Sequence, residues 1–314
     1  MILDLTSGGR TTYVLGPHHP ALVAAHASPS PDAATRLVAR LEQLVGGLAV
    51  QSFHPSAAEA RRHAVTVART ATGRQGLIEC RGASTEPGSR LVSHGDGLQI
   101  EAALKKDAPA AFLVEVVQFV GGVRVPPPGY FERVRAACDA TTALLVVDET
   151  TVGFGRTGTL LATTREKIEP DLLVVSFELM PGVSGGAVLA RRSRGIATGD
   201  LTLDAAVASV ALAAIDLLEN EVLGVVKKAG IAMQKGIHEL LETRRRWSLD
   251  TRGRGLVHAL TLWEDPAPVL AACRERGLTI TATGANMLLF TPPLVATVDD
   301  IKETLSVLDG VLAE

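Results

Sequence analysis

Apolar residues recur at helical spacing through residues 36–45 and again through 57–70, where the pattern stops before Ala71-Thr72-Gly73. The short run Leu77-Ile78-Glu79-Cys80 predicts a strand that ends by Gly82. Further apolar runs of strand length lie at 111–117, 144–147, 172–176 and 186–190, with a helical pattern over 130–140 between the first two. Strands alternating with helices predict a mostly parallel α/β sheet covered on both faces.

The last third changes character. A long helical stretch from 204 to about 242 precedes Arg252-Gly253-Arg254-Gly255. Then come a strand over 256–263, a helix over 267–275, strands near 278–281 and 287–290, and a closing helix over 298–313 entered through Asp299 and Asp300. The expected organisation is an N-terminal segment (1–30) packing with the small domain, a large α/β domain (31–219) and a smaller C-terminal α+β domain (220–314). No internal repeat or disordered linker interrupts it.

Composition narrows the function classes. With 46% hydrophobic and 21% charged residues, the 314-residue chain is ordinary for a soluble globular protein. A net charge of −3 gives no electrostatic footprint for nucleic acid or an anionic membrane. The basic cluster Arg244-Arg245-Arg246 closes a helical pattern, where cations suit the helix dipole. The longest apolar run, 205–215, stops at Asp216 and is too short to cross a bilayer. Cys80, Cys138 and Cys273 are far apart and odd in number, which argues against a disulfide framework. No secretory signal pattern opens the chain, so a cytoplasmic location is expected. The histidines form no metal-ligand spacing, and no metal site is expected: His18 and His19 are adjacent and diverge, while His54 precedes the 57–70 helix.

A literal G-x-G-x-x-G occurs at Gly153-Phe154-Gly155-Arg156-Thr157-Gly158, but it neither leaves a strand directly nor opens a helix, as a dinucleotide site requires. Its surroundings explain it better. The stretch from Leu144 through Asp148-Glu149 to Gly158 resembles the signature of the class III pyridoxal-phosphate-dependent aminotransferases. Leu15-Gly16-Pro17-His18-His19-Pro20 and Ser56-Ala57-Ala58-Glu59-Ala60 are similar to earlier motifs of that family. So are Glu115-Val116-Val117-Gln118 with Gly121-Gly122, Pro126-Pro127-Pro128-Gly129, Glu169-Pro170-Asp171, Arg252-Gly253-Arg254-Gly255-Leu256 and Pro292-Pro293-Leu294. The resemblance runs along nearly the whole chain in the family's order. It implies a fold type I architecture and two subunits sharing their active sites.

The resemblance also implies an active-site inventory, and several positions depart from it. Counting without a gap from Asp171 to Gly186-Ala187 puts Phe177 where the family carries the lysine that forms the cofactor imine. The upstream Lys167 precedes the strand and is not expected to substitute for it. The stretch Gly82-Ala83-Ser84-Thr85 offers no aromatic to cover a cofactor ring, and the chain between it and Leu98 is shortened. Thr151 replaces a glutamine that binds the ring hydroxyl, and Leu289 replaces an arginine that pairs a substrate carboxylate. Thr202 matches the phosphate-binding threonine, without the Asn-Pro that follows it. Asp148 matches the carboxylate facing the pyridine nitrogen. Ser56, Ala57 and Ala58 match the helix N-terminus that favours phosphate, and Glu115 is kept without its arginine partner.

These departures set the expectations. Schiff-base transamination is excluded. No cofactor is expected, with pyridoxal or pyridoxamine phosphate held non-covalently as the alternative. The first hypothesis is a repurposed enzyme acting by acid–base chemistry on a small-molecule metabolite, with Asp148 the leading proton-transfer group and Glu115 second. Both carboxylates, left without partners, are expected to resist ionisation. The alternative is a non-catalytic partner of an active aminotransferase or another biosynthetic enzyme. A homodimer is expected, or a heteromer with an active homologue. An open pocket holding convergent polar groups favours the enzyme; a pocket closed by Phe177 and Leu289 favours the partner.

Overall fold

The computed structural model describes residues 3–6 and 13–313. A short strand β1 (Leu3–Asp4) precedes helices α1 (Pro20–Ala27) and α2 (Ala33–Leu44). Next come β2 (Leu48–His54), α3 (Ala57–Thr72), β3 (Leu77–Cys80), β4 (Arg90–Val92), α4 (Gly97–Asp107), β5 (Ala111–Glu115) and α5 (Tyr130–Thr141). The large sheet is completed by β6 (Leu144–Asp148), a short α6 (Ala162–Arg165), β7 (Leu172–Ser176) and β8 (Gly186–Arg191). Helix α7 (Ala205–Leu217) runs through a π turn at Leu218–Val222 into α8 (Leu223–Thr243). The chain ends with β9 (Ser248–Arg254), β10 (Val257–Leu262), α9 (Ala267–Glu275), β11 (Leu278–Thr279), β12 (Thr281–Thr283), β13 (Met287–Phe290) and α10 (Val298–Ala313).

Seven strands form one sheet in the order β2-β8-β7-β6-β5-β3-β4. The pairs from β4 across to β7 are parallel, and only β8 runs against its neighbours. The reversal has a simple cause. Residues 177–185 are too short a connection for a parallel crossover, which needs a dozen or more residues. Period-two alternation then splits each strand between two buried faces. Leu113, Val146, Val174 and Val188 meet Ala60, Ala64 and Val65 of α3 on one side. Phe112, Leu145, Leu173 and Leu189 join the main core on the other.

The second sheet is antiparallel, in the order β12-β13-β10-β9. The turn between β9 and β10 requires Gly255, whose φ is +60° and whose added Cβ would lie 2.4 Å from the Arg156 carbonyl. Strand β1 pairs in parallel with β11, and the Leu5 carbonyl accepts from Thr291 N at 2.8 Å. The segment near the N-terminus therefore lies on C-terminal strands. The boundary expected at 219/220 falls inside the π turn.

The hydrophobic pattern did not reveal β2, β4, β9, α1 or α4, and β5 ends at Glu115 rather than 117. There the chain bends into a loop closed by the Gln118–Arg124 bridge. The apolar helix α7 is packed inside the chain against α1 and α2.

Candidate active site

The cavity that gathers the sequence-predicted residues lies at the carboxyl ends of the parallel strands, the usual ligand position in an open α/β sheet. It has a volume near 690 Å³. Ser84 and Glu86 enter it after β3, Glu115 and Phe119 around the end of β5, Asp148, Thr150 and Thr151 around the end of β6, and Glu178 after β7. The first turns of α3 supply Ala57, Ala58, Arg61 and Arg62. Helix α3 comes this close because β8 begins with glycine: a Cβ on Gly186 would stand 2.9 Å from Ala60 Cβ and 3.1 Å from Ala57 Cα.

Arg61 organises the floor. Its Nε donates to Asp148 Oδ2 at 3.1 Å and its Nη1 to Glu86 Oε1 at 2.9 Å. Its Nη2 reaches both Glu79 Oε1 and the Ser84 carbonyl. Asp148 also accepts from Thr150 N at 2.9 Å and Thr150 Oγ1 at 2.6 Å. The expectation that Asp148 is orphaned is therefore corrected: a buried guanidinium from its own chain compensates it, and Thr150 rather than Thr151 holds its other oxygen.

Glu115 has no such partner. It is 7% exposed, and its Oε2 accepts from Phe119 N at 2.9 Å. Burial, with the Asp148 charge on the adjacent strand, pushes its carboxyl up to about 7. One carboxylate is thus paired with a cation while its neighbour is poised to exchange a proton near neutrality.

Phe177 is fully buried and faces the core, its ring 6.1 Å from Phe53 and 6.2 Å from Phe154. Leu289, also buried, packs with Val117, Val152, Val257 and Ala259. Neither lines the cavity, which stays open. Among the described residues no lysine lines it either, and Lys167 is exposed at the opposite end of β7. Ser56 caps α3, its Oγ accepting from Glu59 N at 3.2 Å. Thr202 is exposed and lies away from the cavity lining. His54 is bonded to Ser52 Oγ at 2.8 Å, and its ring centroid lies 4.5 Å from that of His63 with the planes tilted by 40°.

Several lining residues were missed in the sequence, among them Arg61, Glu86, Thr150 and Glu178. Arg61 carried a signal, being a cation within the apolar stripe of α3 that holds Ala60, Ala64 and Val65. Glu178 carried none. Its carboxylate accepts from Ala57 N at 3.4 Å, putting an internal anion at the helix end that favours phosphate.

The sheet, the crevice at its strand ends and the helix N-terminus beside it define a fold type I aminotransferase fold. The chain belongs to the class III aminotransferase family, whose model (Aminotransferase class-III) matches residues 94–312. It is 34% identical over 72% of its length to an ornithine aminotransferase of Staphylococcus epidermidis, covering 58% of that protein. It is 32% identical over 66% of its length to an acetylornithine aminotransferase of Caldanaerobacter subterraneus subsp. tengcongensis, covering 54% of it. The chain thus spans little more than half the length of these relatives. The crystal structure of an acetylornithine aminotransferase from Elizabethkingia anophelis superposes with a TM-score of 0.88 at 25% identity, covering 99% of this chain and 89% of that one.

Family membership overturns the expectation that no cofactor belongs here, because class III aminotransferases are pyridoxal-phosphate enzymes and the family points to that cofactor. The residues present do not fit it in its lysine-bound form. No lysine lines the cavity, Arg61 already engages Asp148, and Glu178 stands at the α3 N-terminus. Among the described residues no His/Cys/Asp/Glu group forms a metal site, and no helix is long and apolar enough to cross a membrane.

Proposed function

We propose that this protein is a class III aminotransferase-family member that handles a small metabolite without a lysine imine, and so does not carry out Schiff-base transamination. The single observation supporting this is the cavity lining, which gathers Glu115, Asp148, Glu178 and Thr150 but no lysine. The cofactor to which the family points would be held there by non-covalent contacts alone. The chain's own contribution is proton transfer. Glu115, buried beside Asp148 and poised near neutrality, gives up or takes the proton. Asp148, fixed by Arg61 and Thr150, supplies a stationary negative charge. This order reverses the one expected from the sequence.

The test is incubation with pyridoxal phosphate, borohydride reduction, intact-mass measurement and peptide mapping. The expected result is binding without a stoichiometric covalent adduct. A full adduct on one lysine would overturn the proposal.

A second reading, a non-catalytic partner of an active aminotransferase, draws support from Arg61 and Glu178. Both use polar groups of the cavity in contacts within the chain. Co-purification with a lysine-bearing homologue, together with no activity of the isolated chain, would favour it.

A further inference from the structure

A second cavity, near 1010 Å³, lies beside the β9–β10 hairpin. The loop at 118–125 separates the two: Phe119 and Val120 line the cavity at Glu115, while Arg124 and Val125 line this one. Its other walls are one face of α8, bearing Ile231, Gln234, Lys235 and His238 at helical spacing, and the β9–β10 hairpin with Arg252 and His258. Among the described residues, three permanent cations and three histidines line it, and no carboxylate does. In a chain of net charge −3 this is a local inversion of sign.

The cations are weakly committed. Arg124 Nε donates to the Gly121 carbonyl at 3.0 Å, and the guanidinium makes no ion pair among the described residues. Lys235 has only Glu239, 3.7 Å away, with both side chains exposed. Arg252 meets Asp250 through Nε, leaving its terminal nitrogens available. Two of the histidines are tied to backbone carbonyls. His94 Nε2 lies 3.1 Å from the Glu115 carbonyl and so carries the hydrogen, which makes Nδ1 an acceptor; that atom is buried without a hydrogen-bond partner. His258 Nε2 is likewise tied to the Gly255 carbonyl at 3.0 Å. Its Nδ1 has room only because residue 253 is glycine, whose added Cβ would lie 2.0 Å from it.

We propose that this cavity is a binding site for a small polyanion bearing two or more phosphate or carboxylate groups, distinct from the site at Glu115. Arg124, Lys235 and Arg252 take the anionic oxygens. Charge-assisted hydrogen bonds to guanidinium and ammonium supply the affinity, so binding weakens as salt screens them.

The experiment is calorimetric titration of the whole chain with inorganic pyrophosphate and with citrate, at low and at high salt, using acetate as the monoanion control. The expected result is saturable one-site binding of at least one polyanion, weakened by salt, with acetate not bound. Which of the two binds tells phosphate from carboxylate recognition. Arg124→Gln and Lys235→Gln should each weaken binding about tenfold or more. Arg36→Gln, at a surface helix remote from both cavities, should leave it unchanged. Lys235 is on the exposed face of α8, so its variant keeps the test intact if Arg124→Gln fails to fold. Absence of saturable binding by both polyanions overturns the proposal. So does binding that both cavity variants leave unchanged, or binding abolished instead by Arg62→Gln in the other cavity.

Discussion

Glu115 and Asp148 are register partners on the adjacent parallel strands β5 and β6, and both strands end at them. Their environments differ sharply: Arg61 reaches Asp148, whereas Glu115 has only the Phe119 amide. Neighbouring titratable groups separated in this way are the usual arrangement for dividing acid–base roles.

A pH dependence of stability follows. The Glu115 carboxyl, pushed up to about 7 in the fold, stays protonated there over a range in which the unfolded chain has released its proton. The neutral form is the one the fold favours. Its contribution is fully present below the unfolded value, near 4.5, and is lost as pH rises through about 7. The change is on the order of 3 kcal/mol. Urea unfolding of the native chain from pH 4 to 9 should show this fall, and Glu115→Gln should abolish that component. Parallel curves for the two proteins would contradict it.

Arg61 is the next test. Arg61→Ala leaves Glu79 and Asp148 buried without their cation, and the expected loss of stability is about 3–5 kcal/mol. Denaturant melts at pH 8 measure this directly. A destabilisation below about 1 kcal/mol at pH 8 would mean that Arg61 does not hold the cavity floor together.

Phe177→Lys separates position from chemistry. Phe177 is enclosed by Phe53 and Phe154, so the ammonium would be forced into an apolar core. The variant is expected to lose at least about 3 kcal/mol of stability and to gain no transaminase activity. Amino-donor assays with added pyridoxal phosphate provide the measurement. Robust amino transfer by this single variant would show that the ungapped count to residue 177 misplaces the site.

A homodimer remains our proposal for the quaternary state. Light scattering at micromolar concentration should return about twice the chain mass of 32.9 kDa. A monomeric mass across that range would refute it.

Local patterning by itself determined the alternation of strands and helices, the parallel character of the large sheet and the family resemblance carried by the Asp148–Gly158 stretch. These depend on side-chain periodicity and short motifs, which are local properties of the chain. The reversal of β8 was also implicit in the brevity of residues 177–185. What the tertiary structure alone decided is which charges meet. Arg61 finds Asp148 across 87 positions, and Glu178 finds the α3 N-terminus across 121. Residues 94, 124, 235 and 252, from two loops, α8 and β9, converge on one cavity. Electrostatic compensation acts through space over a few ångströms, so whether a buried carboxylate is paired, as Asp148 is, or left to hold its proton, as Glu115 is, depends on the packed chain rather than on sequence neighbours.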